Sequence, residues 1–279
     1  MQFANLKLAR RIEMAEASIA TQCVEAVQRR HPEIHAARIS PAGGVASFTG
    51  VGSPITQAVG LGLKGRVSAR EFDAMEAFYR QRRAAVNIEV CPFADKSLIE
   101  LLGQRNYSPT EFTSVLVRPL KRNEHFPPPA RGVKIRVLRK SEHELWAATV
   151  SKGFAEHFPV TQELLDLMSA FSRVPRTICF LGYVDGKLAG GALLGHWRGL
   201  ATLGGASTLP DFRGRGLQTA LQYMRLKVAA EKGCDLALTM TQPGSTSQRN
   251  AERRGFHVVY TRIKFLREWK TKKRTWRAA

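Results

Sequence analysis

Along the last third of the chain, hydrophobic positions change period in an ordered way. Leu217, Ala220, Leu221, Met224 and Val228 recur three and four residues apart, which lays one apolar stripe along a helix over about residues 216–232. Gly233 follows as a stop signal. Residues 200–208 before this helix and 235–241 after it read as strands. The turn Gln242-Pro243-Gly244 then leads into a helix from about Ser245, which closes at Arg254-Gly255-Phe256 before a last strand over 258–265.

The first half offers the same order in different letters. An apolar-rich stretch, 55–63, precedes the loop Lys64-Gly65-Arg66, and a helix is predicted over about 69–83. A strand at 86–91, a turn at Pro92, a helix near 96–103 and a strand at 112–118 follow. Arg105-Asn106-Tyr107 stands where Arg254-Gly255-Phe256 stands in the second half. Between the halves, residues 121–132 read KRNEHFPPPARG, and three consecutive prolines (Pro127 to Pro129) cannot continue a helix. The pattern predicts an α/β protein of two similar units in tandem, each with a mixed central sheet flanked by helices. The expected division is 1–120 for the first unit, 121–132 for the linker, 133–267 for the second unit and 268–279 for a basic tail.

Candidate chemistry concentrates where strand 200–208 gives way to the next helix. The loop reads Leu209-Pro210-Asp211-Phe212-Arg213-Gly214-Arg215-Gly216, followed by Leu217, Gln218 and Thr219. Glycines let a backbone turn sharply and approach a ligand closely. A helix N-terminus presents unpaired N–H groups and partial positive charge, suited to a pyrophosphate. Arg213 and Arg215 add attraction and forked hydrogen bonds. No Gly-Lys-Ser/Thr follows, so this is not a Walker loop, and it lacks GxGxxG.

Arg213-Gly214-Arg215-Gly216 resembles the phosphate-binding pattern Gln/Arg-x-x-Gly-x-Gly/Ala of the GNAT acetyltransferases, with Gln218 departing from the small residue at the sixth position. Both units are accordingly expected to be GNAT-like. The resemblance implies acetyl-CoA as co-substrate, its pyrophosphate cradled by Arg213 to Thr219 and its pantetheine and thioester held by Ser207, Thr208 and Leu209 on the preceding strand. Ser247 and Asn250, at the start of the last helix, are further cofactor-binding candidates, while Ser245 reads as that helix's cap. In the first half the matching loop carries Val67 where the second has Gly216, and a β-branched residue suits a ligand-hugging turn poorly. One working cofactor site is therefore expected, in the second half.

The reaction implied is transfer of an acetyl group to an amine of a small molecule or peptide; the alternative is a non-catalytic acyl-CoA-binding regulator. Many GNAT enzymes carry a general-acid tyrosine four residues before the Gly-Phe pair, and here that position is Ala251. Tyr260 is the substitute candidate, provided its strand turns the hydroxyl inward. For a base, Glu156-His157 lies in a region that commonly builds the acceptor site in the family, but no single residue is nominated.

The formal net charge of +20 fits an anionic co-substrate, an acidic acceptor or nucleic acid. Residues 262–277 hold eight Lys/Arg with Trp269 and Trp276 interleaved, a composition that a nucleic-acid-binding tail would use. Four scattered cysteines show no metal-ligand spacing, so no metal is expected. With no long apolar run and no cleavable leader pattern, neither a membrane span nor secretion is expected, and the cytoplasm fits best.

Overall fold

The computed structural model describes residues 2–156 and 159–269. The first half comprises α1 (Leu6–Arg30), β1 (Ala37–Ile39), β2 (Val45–Phe48), β3 (Ala58–Val59), α2 (Ala69–Gln81), β4 (Val86–Val90), α3 (Lys96–Gln104) and β5 (Ser108–Pro119). The second comprises β6 (Val133–Val137), α4 (His143–Gly153), α5 (Gln162–Phe171), β7 (Thr177–Val184), β8 (Lys187–Trp197), β9 (Leu200–Thr208), α6 (Leu217–Glu231), β10 (Leu236–Thr241), α7 (Thr246–Glu252) and β11 (His257–Arg267). Predicted and observed elements coincide closely from residue 200 onward. In the first half, the stretch 55–63 yields only a two-residue strand, because Gly60 and Gly62 take left-handed backbone (φ +73° and +70°) directly after it.

Two expected central sheets are instead one. All eleven strands join a single sheet in the order β1-β2-β3-β4-β11-β5-β10-β9-β8-β7-β6. The join is an interleaving of last strands: β11 lies between β4 and β5, and β5 lies between β11 and β10, every one of these contacts antiparallel. On either side the next pairs, β3 with β4 and β10 with β9, are parallel. The arrangement is thus symmetric about the β5–β11 pair, with β4-α3-β5 matching β10-α7-β11. The repeat seen as a faint pattern in the sequence is a repeat of connectivity.

Helix α1, which the sequence reading passed over, closes the junction. It buries Leu8, Ala9, Ile12 and Ala15 against Val115 and Val117 of β5 and Leu236 and Leu238 of β10. Glu13 is fully buried on the same face; its carboxylate accepts from the Tyr260 hydroxyl at 2.8 Å and from Arg262 Nε at 2.8 Å. The basic residues at the start of the 262–277 segment are likewise used internally. Arg262 pairs with Glu13, Lys264 with Glu89 and Glu111, and Arg267 with Glu76, while the Trp269 indole donates to the Ala84 carbonyl. The rest of that segment, Trp276 included, lies outside the described residues.

The proline-rich linker also has a place. Phe126 packs at 6.0 Å from the ring of Tyr223 on α6, and Ala130 sits against the start of that helix. Among the described residues no helix is long and apolar enough to cross a membrane.

Candidate acyl-CoA site

The site begins where two parallel strands part. β9 and β10 are hydrogen-bonded only over Leu200–Thr202 and Leu236–Leu238, although β9 continues to Thr208 and β10 to Thr241. Beyond that point β9 bulges: its register with β8 slips between Gly191 and Leu193, and Gly205 adopts φ +51°. A bulge leaves peptide groups without ladder partners and aims them into the gap. The resulting cleft of 170 Å³ is lined by Leu203 to Ala206 of β9, Thr239 and Met240 of β10, and Phe154 beyond α4. Gln218, Gln222 and Arg225 of α6 and Ser247, Asn250 and Ala251 of α7 complete it.

At the mouth, β9 ends in Thr208 and Leu209, and a short turn (Pro210–Phe212) delivers the Arg213-Gly214-Arg215-Gly216 loop. Gly214 and Gly216 take φ +74° and +82°, left-handed values that a side chain would strain. Gly216 is the residue before α6, and no side chain caps the helix. The first N–H groups of this fifteen-residue helix are therefore left without a capping partner, with the helix dipole behind them. Leu217 pins the turn to the sheet. A methyl placed on Gly182 would come within 2.6 Å of its Cδ1, so the glycine makes room for it.

The side chains around the loop carry charge of both signs. Arg213 grips Glu156 with both carboxylate oxygens at 2.7–2.8 Å, and Arg215 pairs with Asp185. All four side chains are well exposed. The Thr208 hydroxyl is buried beside the loop with no hydrogen-bond partner. Uncapped amides, left-handed glycines and an orphaned hydroxyl below a splayed strand pair fit a pyrophosphate and its pantetheine arm.

The corresponding place in the first half is closed. Ser68 and Glu71 form a reciprocal capping box at the start of α2, Ser68 Oγ accepting from Glu71 N at 3.3 Å and Glu71 accepting from Ser68 N at 3.0 Å. The Ser97 hydroxyl takes the Val67 amide at 2.8 Å. Hydrogen bonds from Ser68 hold the Glu71 carboxyl below its usual range, so a fixed negative charge stands where a phosphate would bind.

Of the residues singled out from sequence, the structure brings Gln218, Ser247 and Asn250 to the cleft, and the Arg213 to Gly216 loop leads directly into α6, on which Gln218 lies. Ser207 is buried and turns its hydroxyl the other way, donating to the Val150 carbonyl at 2.9 Å. Thr219 accepts from Arg254, joining α6 to the end of α7. Leu209 is held by its amide to the Ala189 carbonyl at 2.8 Å. Ser245 caps α7 by accepting from Gln248 N. Tyr260 is placed elsewhere: its phenol is buried against Glu13 and Phe93, on a strand separated from β10 by β5. That placement does not support a general-acid role at the cleft. Ala251 lines the cleft with a methyl group where the family's acid is expected. Glu156 faces the loop arginine, and His157 lies outside the described residues. The sequence reading missed Gln222 and Arg225, although Gln218, Gln222 and Arg225 recur four and three apart as a polar stripe beside the apolar one.

A mixed sheet that splays above a glycine-rich loop and an uncapped helix defines an α/β class with an anion-binding helix start at its strand ends. Residues 141–256 match the model of the Acetyltransferase (GNAT) family, and this segment is a GNAT domain. Similar solved structures share the fold over most of the chain at low identity. A GCN5-related N-acetyltransferase from Kribbella flavida aligns with a TM-score of 0.64 at 16% identity, covering 92% of this chain and 95% of that one. One from Sphaerobacter thermophilus gives 0.58 at 17%, covering 76% and 71%. A tandem GNAT protein from the clavulanic acid biosynthesis pathway gives 0.57 at 14%, covering 81% and 78%. The chain folds as two GNAT-like units in tandem. A search of curated protein sequences returned no match.

Proposed function

We propose that the protein is an acyl-CoA-dependent N-acetyltransferase that moves an acetyl group to an amine of a small molecule or peptide. Its working site is in residues 133–267, and residues 1–120 form a partner unit that binds no cofactor. The observation that carries this reading is the contrast between the two helix starts: α6 is uncapped behind left-handed glycines, whereas α2 is sealed by its own glutamate.

Bound acetyl-CoA supplies an activated acyl group: the amine nitrogen bonds to the thioester carbon, the C–S bond breaks, and the thiol leaves with a proton. The chain's residues bind and orient. Amides at the start of α6, with Arg213 and Arg215 released from their carboxylates, take the pyrophosphate. The Thr208 hydroxyl and the bulged backbone of Gly204 to Ala206 meet the pantetheine arm and the thioester carbonyl, aligning the reacting carbon. Ser247 and Asn250 close the opposite wall. With Ala251 in place of a hydroxyl-bearing residue, proton delivery to the thiol falls to water.

Calorimetric titration with acetyl-CoA tests the site. One equivalent is expected to bind per chain, and Arg213→Ala combined with Gly216→Val is expected to abolish binding. Unchanged affinity in that variant would remove the assignment. Ala251 also favours a second reading, a non-catalytic acyl-CoA-binding regulator; release of free CoA thiol with any member of an amine panel would dispose of it.

A further inference from the structure

Arg225 is the unusual member of the cleft. It stands on α6 only 3% exposed, and burial is the cause that pulls its pKa down to about 9, so it is still a cation near neutral pH. Among the described residues its hydrogen bonds run only to main-chain carbonyls: Nε to Leu221 at 3.1 Å, and Nη1 to Leu193 and Gly204 at 3.3 Å. No carboxylate among them pairs with it. A buried cation without a counter-ion is costly to hold, and carbonyl dipoles offset only part of that cost. The side chain nevertheless lines the open cleft, and its contact with the Gly204 carbonyl sets it one residue from the Gly205 bulge. An acetyl group ends in a methyl and would leave the guanidinium unneutralised.

Resting on the acyl-CoA reading above and replacing only its acetyl group, we propose that Arg225 is an acyl-specificity residue, and that a donor with a short acyl chain ending in a carboxylate, of the malonyl or succinyl type, is preferred to acetyl-CoA. The carboxylate is assigned to the acyl group because Arg225 donates to the Gly204 carbonyl, beside the β9 bulge to which the reading above gives the thioester. Malonyl and succinyl chains carry their carboxylate two or three bonds beyond the thioester carbon, and Arg225 donates to the Gly204 carbonyl at the edge of the bulge. The transfer step is unchanged: the N–C bond forms, the C–S bond breaks, CoA leaves as the thiol, and the distal carboxylate is not consumed.

The experiment is calorimetry of the full chain with acetyl-, butyryl-, malonyl- and succinyl-CoA, repeated on Arg225→Met. Charge-assisted hydrogen bonds predict that malonyl- or succinyl-CoA binds about tenfold to a hundredfold tighter than acetyl-CoA. Butyryl-CoA, similar in length to succinyl but uncharged, is expected to show no such gain. Arg225→Met should bring the ratio of malonyl- or succinyl-CoA affinity to acetyl-CoA affinity to about one. Equal affinities in the unaltered protein would overturn the proposal, and so would a ratio that survives in Arg225→Met. The butyryl comparison decides the matter even if that variant does not fold. If acetyl-CoA and every other donor fail to bind, the acyl-CoA reading itself falls. Should the donors bind alike while Arg225→Met raises KM for a carboxylated amine and not for its decarboxylated analogue, the carboxylate belongs to the acceptor and the acyl assignment is wrong.

Discussion

Neutralising Glu156 is expected to tighten acyl-CoA binding, the opposite of what a catalytic or acceptor-binding glutamate would show. Arg213 is held by both oxygens of Glu156 at 2.7–2.8 Å and must leave that carboxylate to reach a phosphate. The two side chains are 44% and 54% exposed, so solvent screens the pair, and such pairs contribute about 0.2–1 kcal/mol. Removing the competitor in Glu156→Gln should lower the acetyl-CoA Kd by about 1.4- to 5-fold. The gain should shrink when salt is raised from about 0.01 M to 0.15 M, as the Debye length falls from about 30 to 8 Å. Calorimetry at the two ionic strengths measures both effects. In an Arg213→Ala background the same change should do nothing, because the pair it relieves is gone. Weaker binding in Glu156→Gln alone, or an equal gain with Arg213 absent, would refute the competition.

Other outcomes follow from the packing. Glu13→Ala strips Arg262, 3% exposed, of its nearest carboxylate and should destabilise the fold by about 3–5 kcal/mol in urea denaturation. Replacing Glu13 and Arg262 together by methionine should cost distinctly less, and an equal loss would contradict the charge argument. Burial pushes the neighbouring Glu16 up to about 7 from the ordinary 4.5. The folded chain then keeps a proton that the unfolded chain has released, so this contribution is full below about pH 4.5 and is lost as pH rises to 7. Glu16→Gln should flatten the stability profile across that window, and an unchanged slope would count against it. Leu217→Ala empties the space between Gly182 and the helix and should cost about 2–5 kcal/mol, with acetyl-CoA affinity falling as the loop loosens; chemical denaturation and calorimetry on the same variant check both.

Much of the second half was legible because its signals are local. The stripe from Leu217 to Val228, Gly233 after it and the Gln242-Pro243-Gly244 turn each fix an element within a few residues. The loop was legible too, since Gly214 and Gly216 are needed wherever φ must be positive. What stayed hidden depends on distant partners. β5 and β11 alternate in the same way whichever strands flank them, so their interleaving leaves no mark on either pattern. The direction of Tyr260 follows from a register slip between Val258 and Tyr260, which alternation cannot foresee. Helix α1 was obscured by Glu13 and Glu16, polar letters on a buried face whose partners lie about 250 residues away. Arg225 reads as one more solvated arginine until β8 and β9 fold over it.

The interleaved strands make this chain resemble a homodimer sewn into one polypeptide. Two copies of an ancestral unit, each lending its final strand to the other about a two-fold axis, would produce the β4-β11-β5-β10 order, and residues 121–132 are the stitch between them. Such a history would free one copy to lose a ligand loop while it remains needed as scaffold, because β5 of the first half pairs with β10, which lines the cleft of the second. Cutting the chain at the prolines should therefore give two fragments that are each incomplete at an open sheet edge, and that regain a site only when they refold together.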